Sequence, residues 1–169
     1  MPPHPSLRLD PIAEARRLWT EQGWGEAAEG MAAVTSLMRA QQIMQARVDD
    51  VLKPFDLTFA RYELLMLLHL STRGAMPVKK ASERLQVHPT SVTNSVDRLE
   101  AAGLVERAPH PTDGRGVLLV LTPSGRRTAL EATAELNDQV FSRPGLAARK
   151  VTSLVAVLRD LRKGAGDFR

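Results

Sequence analysis

The 169-residue chain contains no cysteine. That excludes disulfides, thiolate metal sites and a cysteine-based redox switch, so a redox response would need other chemistry. No run of about 18 apolar residues occurs, and the start lacks the basic-then-apolar layout of a secretion signal. A cytoplasmic location with no membrane partner is the simplest expectation. The four histidines, His4, His69, His88 and His110, lie far apart without paired ligand spacing, which disfavours a metal site, zinc included. No phosphate-cradling glycine loop is present: Gly114 and Gly116 read as a turn, and the carboxylates fall mainly on charged helix faces instead of converging. Neither an enzyme nor a cofactor is expected. Internal repeats and low-complexity tracts are absent as well.

What is present is the composition of an ordinary folded protein, 43% hydrophobic and 25% charged, enough for one compact domain or one protomer of a dimer. Lysine and arginine number 23 against 19 aspartate and glutamate, a net charge of +4. The isoelectric point near 10.0 permits binding to nucleic acid or to an acidic membrane surface without choosing between them.

Periodicity divides the chain into a mainly α protein. The proline-rich residues 1–9 read as a flexible tail. Asp10 with Pro11 opens a short amphipathic helix through Ile12, Ala15, Leu18 and Trp19, which Gly23 and Gly25 end. From Glu26 to Leu52 the apolar positions recur at helical spacing, so a long helix is predicted, stopped by Pro54. Thr58 caps a buried helix from Phe59 to Leu70, within which His69 reads as a satisfied, partly buried histidine. Gly74 and Pro77 separate it from a short helix, Val78 to Leu85. A tight link from Gln86 to Pro89 leads to a helix from Thr90 to Ala102, whose Val92, Val96 and Leu99 share one stripe and whose C-cap is Gly103. Leu104 to Ala108 and Gly116 to Leu121 predict a small β-hairpin, a two-stranded wing. Thr122 and Pro123 open a helix to about Phe141, a last helix runs from Pro144 or Gly145 to Lys163, and residues 164–169 are expected to fray.

Helix, short helix, turn, helix and hairpin within about 65 residues is the layout of a winged helix-turn-helix. The candidate reading helix starts with Thr90, Ser91, Thr93 and Asn94, short groups that donate and accept hydrogen bonds and allow close approach to bases and phosphates. Taken alone, the same residue types serve equally to cap and solvate a surface helix. The wing weighs against that: Arg107, His110, Asp113, Arg115, Arg126 and Arg127 gather around a hairpin, with Arg115 at its tip, where a guanidinium can enter a narrow minor groove.

Three runs together resemble the MarR (multiple antibiotic resistance regulator) family over roughly Met31 to Lys163. They are Val92-Thr-Asn-Ser-Val-Asp-Arg-Leu-Glu-Ala-Ala-Gly-Leu-Val-Glu-Arg107, Pro111-Thr-Asp-Gly-Arg-Gly116 and Leu121-Thr-Pro-Ser-Gly125. The resemblance implies that Thr90, Ser91, Thr93 and Asn94 face the major groove of double-stranded DNA. Arg115 would enter the minor groove, oriented by Asp113. Arg98 would either touch a phosphate or form a salt bridge to Asp97 or Glu100. It further implies a homodimer built by residues 10–53 and 122–163 around the DNA-binding region 54–121, with a small-molecule cleft between them. A branch with an added N-terminal helix, responsive to urate, is similar in placing a tryptophan at Trp19 and a pocket arginine at Arg107. There its aspartate and recognition-helix arginine correspond to Glu63 and Ser95, a departure that argues against urate. Trp19 also fits simple packing of the leading helix on its dimer. A repressor released by an aromatic or acidic ligand is the expected function. The rival is a winged helix used for nonspecific architectural DNA binding or for protein contact.

Overall fold

The computed structural model describes residues 7–86, 88–110 and 116–169. Seven α-helices and one small sheet follow in order: α1 Pro11–Glu21, α2 Gly25–Leu52, α3 Phe59–His69, β1 Ala75–Pro77, α4 Val78–Leu85, α5 Pro89–Ala101, β2 Val105–Pro109, β3 Val117–Leu121, α6 Pro123–Leu136 and α7 Ala148–Gly164. Local chemistry sets the starts of three helices. Asp10 accepts the Ile12 N–H at 2.9 Å, Thr58 the Arg61 N–H at 3.4 Å and Thr122 the Gly125 N–H at 2.9 Å, each satisfying a donor that the first helical turn leaves orphaned. Pro54 ends α2 as expected, through a single 3-10 turn, Lys53–Phe55. Among the described residues no helix is long and apolar enough to cross a membrane.

The core lies where α3 meets α5, α6 and the sheet. Leu52, Leu64, Leu65, Leu68, Val96, Leu119 and Leu136 are fully buried there. Each such side chain contributes about 1.5–3 kcal/mol relative to exposure. Tyr62, also buried, hydrogen bonds the Thr133 hydroxyl at 3.1 Å and so links α3 to α6.

Three expectations are revised, and the helix opened at Thr122 reaches Phe141 as expected but with a π-helical last turn. The wing sheet has three strands, ordered β1-β3-β2 and antiparallel throughout: Met76 stands opposite Leu119 and Arg107 opposite the same residue on the other side. The segment read as a linker at Gly74 to Pro77 supplies the extra strand, because the unpaired edge of β3 is open to it. α6 continues as a π-helical turn, Asn137–Phe141, closed by Arg47, whose Nη2 donates to the carbonyls of Gln139 (3.0 Å) and Arg143 (2.7 Å). α7 starts at Ala148 and not at Pro144 or Gly145, since Gly145 has φ +82°, which no right-handed helix accommodates. The C-terminal residues are tied back rather than frayed. Gly166 (φ +78°) turns the chain, the Arg162 guanidinium pairs with Asp167 at 2.5 Å and lies over the Phe168 ring, and the Gln86 side chain donates to the Asp167 carbonyl.

Candidate nucleic-acid interface

α4, the following turn and α5 form the helix-turn-helix. Gln86, in the left-handed region at φ 54°, ends α4 by donating its N–H to Ser82 O. His88 then caps α5: its Nδ1 accepts the Thr90 N–H at 3.3 Å and lies 3.1 Å from the Thr90 hydroxyl. An acceptor at Nδ1 must carry no proton, so this cap belongs to the neutral imidazole. Sequence reading placed Thr90 at the helix start but missed the histidine cap, an uncommon choice for that position.

α5 has one buried stripe, Val92, Val96 and Leu99, each at 1% exposure or less. At 100° per residue the opposite side carries Thr90, Asn94, Asp97 and Ala101. Thr90, Ser91, Thr93, Asn94 and Arg98 are all exposed, so the structure brings the predicted reading residues onto the outer surface of one helix. Ser91 and Ser95 lie on the flank facing α3, where with Glu63, Leu64, Leu85 and Val92 they line a cleft of about 40 Å³. Desolvation by these neighbours raises the Glu63 pKa above the ordinary carboxylate value. Gly103 (φ +68°) ends the helix, with Leu104 N–H bonded to Leu99 O at 2.9 Å in a Schellman-type closure.

The wing leaves the body as β2 and returns as β3, its two strands joined at the outer end by His110 N–H to Gly116 O at 3.0 Å. Asp113 and Arg115, on which the minor-groove expectation rests, lie outside the described residues. Arg107, on β2, reaches back to α5 and pairs with Asp97 at 2.5 Å and with Glu100. The hydrogen bond to Asp97, chiefly, raises its pKa further. The two carboxylates considered as partners for Arg98 are thus taken by Arg107, and Arg98 forms no ion pair with any described residue. This pairing was invisible in the sequence, because only the return of β2 beside α5 brings residues ten and seven positions apart together.

The side chains suggested for a ligand occupy three places. Trp19 stacks edge-on against Trp24 at 5.1 Å between ring centroids on the α1–α2 hairpin, Glu63 lines the α3–α5 cleft, and Arg107 is engaged on the wing side of α5. Among the described residues, Trp19 and Glu63 line separate pockets, and Arg107 lines neither. His69 accepts from Arg126 Nη1 at 2.9 Å, in keeping with a satisfied histidine. Among the described residues no cluster of three metal-ligating side chains occurs. Sequence reading also passed over Lys79, Lys80 and Arg84, exposed on α4 and without an ion pair to any described residue.

A three-helix unit with a buried α3, a protruding α5 and a small antiparallel wing defines a winged helix-turn-helix protein. The MarR family sequence profile matches residues 55–116. The crystal structure of Sco5413, a MarR family transcriptional regulator from Streptomyces coelicolor, is 49% identical and superimposes with a TM-score of 0.76, covering 83% of this chain and 97% of that one. Sco3205, a second regulator of the family from that organism, solved in complex with DNA, is 27% identical with a TM-score of 0.70 over 81% of this chain and 88% of its own. The multiple antibiotic resistance protein MarR of Salmonella typhimurium is 32% identical over 58% of this chain, and the match spans 61% of its length. The chain belongs to the MarR family.

Proposed function

We propose that this chain is a transcriptional regulator that binds a pseudo-palindromic double-stranded operator as a homodimer and represses transcription from it. The observation that carries the reading is the division of α5: Val92, Val96 and Leu99 hold one face to the core while Thr90, Thr93 and Asn94 stand on the other. Short polar side chains on a protruding helix suit base edges in the major groove. Lys79, Lys80 and Arg84 on α4 fit the first helix of such a motif, which crosses the phosphate backbone. The described structure of the Sco3205 complex lends the same reading support, since that relative was solved with DNA.

Dimerisation through residues 10–53 and 122–163 is supported by apolar side chains that nothing in the chain covers. α7 buries none of its residues, and its Leu154, Val155, Val157 and Leu161 are 45–65% exposed; Val34 and Met38 on α2 stand out equally. Such a surface marks an interface. Two copies set two reading helices about one DNA turn apart. Release by a small aromatic or acidic ligand is a second part of the reading, favoured by the position of the Glu63 cleft directly behind α5. At about 40 Å³ that cleft admits only a few waters, so a ligand would enter by parting α3 from α5.

The test uses a site selected from a random-sequence pool. Asn94→Ala should weaken binding to that site by about tenfold while leaving random DNA nearly unchanged, because a base contact is directional. Arg115→Ala should weaken binding with the dimer intact. Equal loss on selected and random DNA for Asn94→Ala, together with no effect of Arg115→Ala, would replace the regulator reading with an architectural one.

A further inference from the structure

Asp97 and Glu100 are unexpected on a helix that, on the reading above, approaches a polyanion. Around the helix axis Asp97 lies about 20° from Thr90, and Glu100 about 20° from Thr93, so both carboxylates share the side that carries the reading residues. Each is exposed. A bare carboxylate there would repel nearby phosphates and be left without a counter-charge as water is displaced. The structure supplies one: Arg107 extends from β2 across the gap, its Nη2 at 2.5 Å from Asp97 Oδ1 and its Nη1 on Glu100 Oε2. Its side chain is only 31% exposed, the most buried of the three, and the planar guanidinium donates to both acids at once. One negative charge then remains on that flank where there would be two.

We propose that Arg107 is a positioning residue for DNA binding: it masks the carboxylates of Asp97 and Glu100 on the reading side of α5 and ties that helix to the wing strand β2. Arg107 has no need to touch DNA in this role. The inference rests on the proposed regulator function and adds to it the device that makes an acidic reading helix compatible with phosphate.

The role separates from its alternatives by rescue. In the full chain, Arg107→Gln should weaken binding to both a selected site and random DNA by about tenfold or more, because the uncovered charge is felt by any phosphate. Adding Asp97→Asn and Glu100→Gln to Arg107→Gln removes the charge that needed masking, and affinity should return to within about threefold of the parent. The pair Asp97→Asn/Glu100→Gln with Arg107 intact should bind at least as tightly as the parent. Thermal melting of each variant is read alongside. If the triple variant stays as weak as Arg107→Gln, Arg107 contacts DNA directly or serves only the fold, and the proposal is overturned; a melting loss that the triple variant shares points to the fold. An unchanged affinity for Arg107→Gln also overturns it. Absence of binding by the parent chain to any duplex overturns the regulator reading itself, and is seen before a variant is made.

Discussion

Gly125 should tolerate no side chain, and the reason is a close approach rather than a special backbone angle. A methyl group built on it would stand 2.0 Å from Leu104 O, 2.9 Å from Leu104 C and 2.9 Å from Leu121 Cδ1. Two of these atoms are backbone, so no rotamer change relieves the clash. Reaching even a 3.0 Å separation requires the start of α6 to withdraw by ~1 Å from Leu104, between α5 and β2. The junction is held there by Thr122, whose hydroxyl donates to Gly103 O at 2.8 Å and whose N–H donates to Leu104 O at 3.2 Å. A shift of that size stretches both bonds past hydrogen-bonding distance. With about 1 kcal/mol for each bond, plus the desolvation left on a buried hydroxyl, the loss is about 3–4 kcal/mol. Replacing glycine in a helix recovers about 0.5–1 kcal/mol, leaving a net loss of about 2–3 kcal/mol. For a chain of this size Gly125→Ala should therefore lower the melting midpoint by about 4–12 °C. Far-UV circular dichroism at one fixed protein concentration measures it, the concentration being held because the proposed dimer would make the midpoint concentration-dependent. A midpoint unchanged or raised, as helix propensity alone would give, refutes the reasoning.

Thr122→Ala removes the cap and the bond to Gly103 while adding no clash, so it should cost about 1–2 kcal/mol by the same melting assay, less than Gly125→Ala. Glu63 has a folded pKa raised by desolvation, so its penalty is absent below the unfolded pKa and grows as pH rises through the folded value. Glu63→Gln should accordingly raise the melting midpoint near pH 7 and have a much smaller effect near pH 4, where the carboxyl is mostly protonated in both states. Leu161→Asp places a charge on the uncovered face of α7 and should convert the proposed dimer to monomer by light scattering at micromolar concentration, with helix content retained.

The legible parts of the sequence were those in which one residue carries a local geometric instruction. Asp10, Thr58 and Thr122 announced helix starts, Gly103 announced an end, and the stripe Val92, Val96 and Leu99 fixed which side of α5 is buried. β1 escaped because three residues ending at Pro77 have no period of their own; pairing with β3 makes them a strand. The late start of α7 and the tied C-terminus depend on Gly145 and Gly166 adopting positive φ, which composition permits without requiring. Of the predicted reading residues, Thr90, Thr93, Asn94 and Arg98 emerged together on the outer side of α5, since helical spacing dictates it, while Ser91 lies on the flank facing α3. The Arg107 pairing did not emerge, and neither did the separation of Trp19 from Glu63 and Arg107, because both depend on how distant elements pack.

The most direct test of the central claim is a fluorescence anisotropy titration of the full chain against duplexes tiled across the DNA upstream of its own gene, with random duplexes as control. Saturable binding of one dimer to a palindromic tile is expected, at least about a thousandfold tighter than to random DNA at the same salt. Uniform weak binding with a steep salt dependence, or no binding, would contradict it.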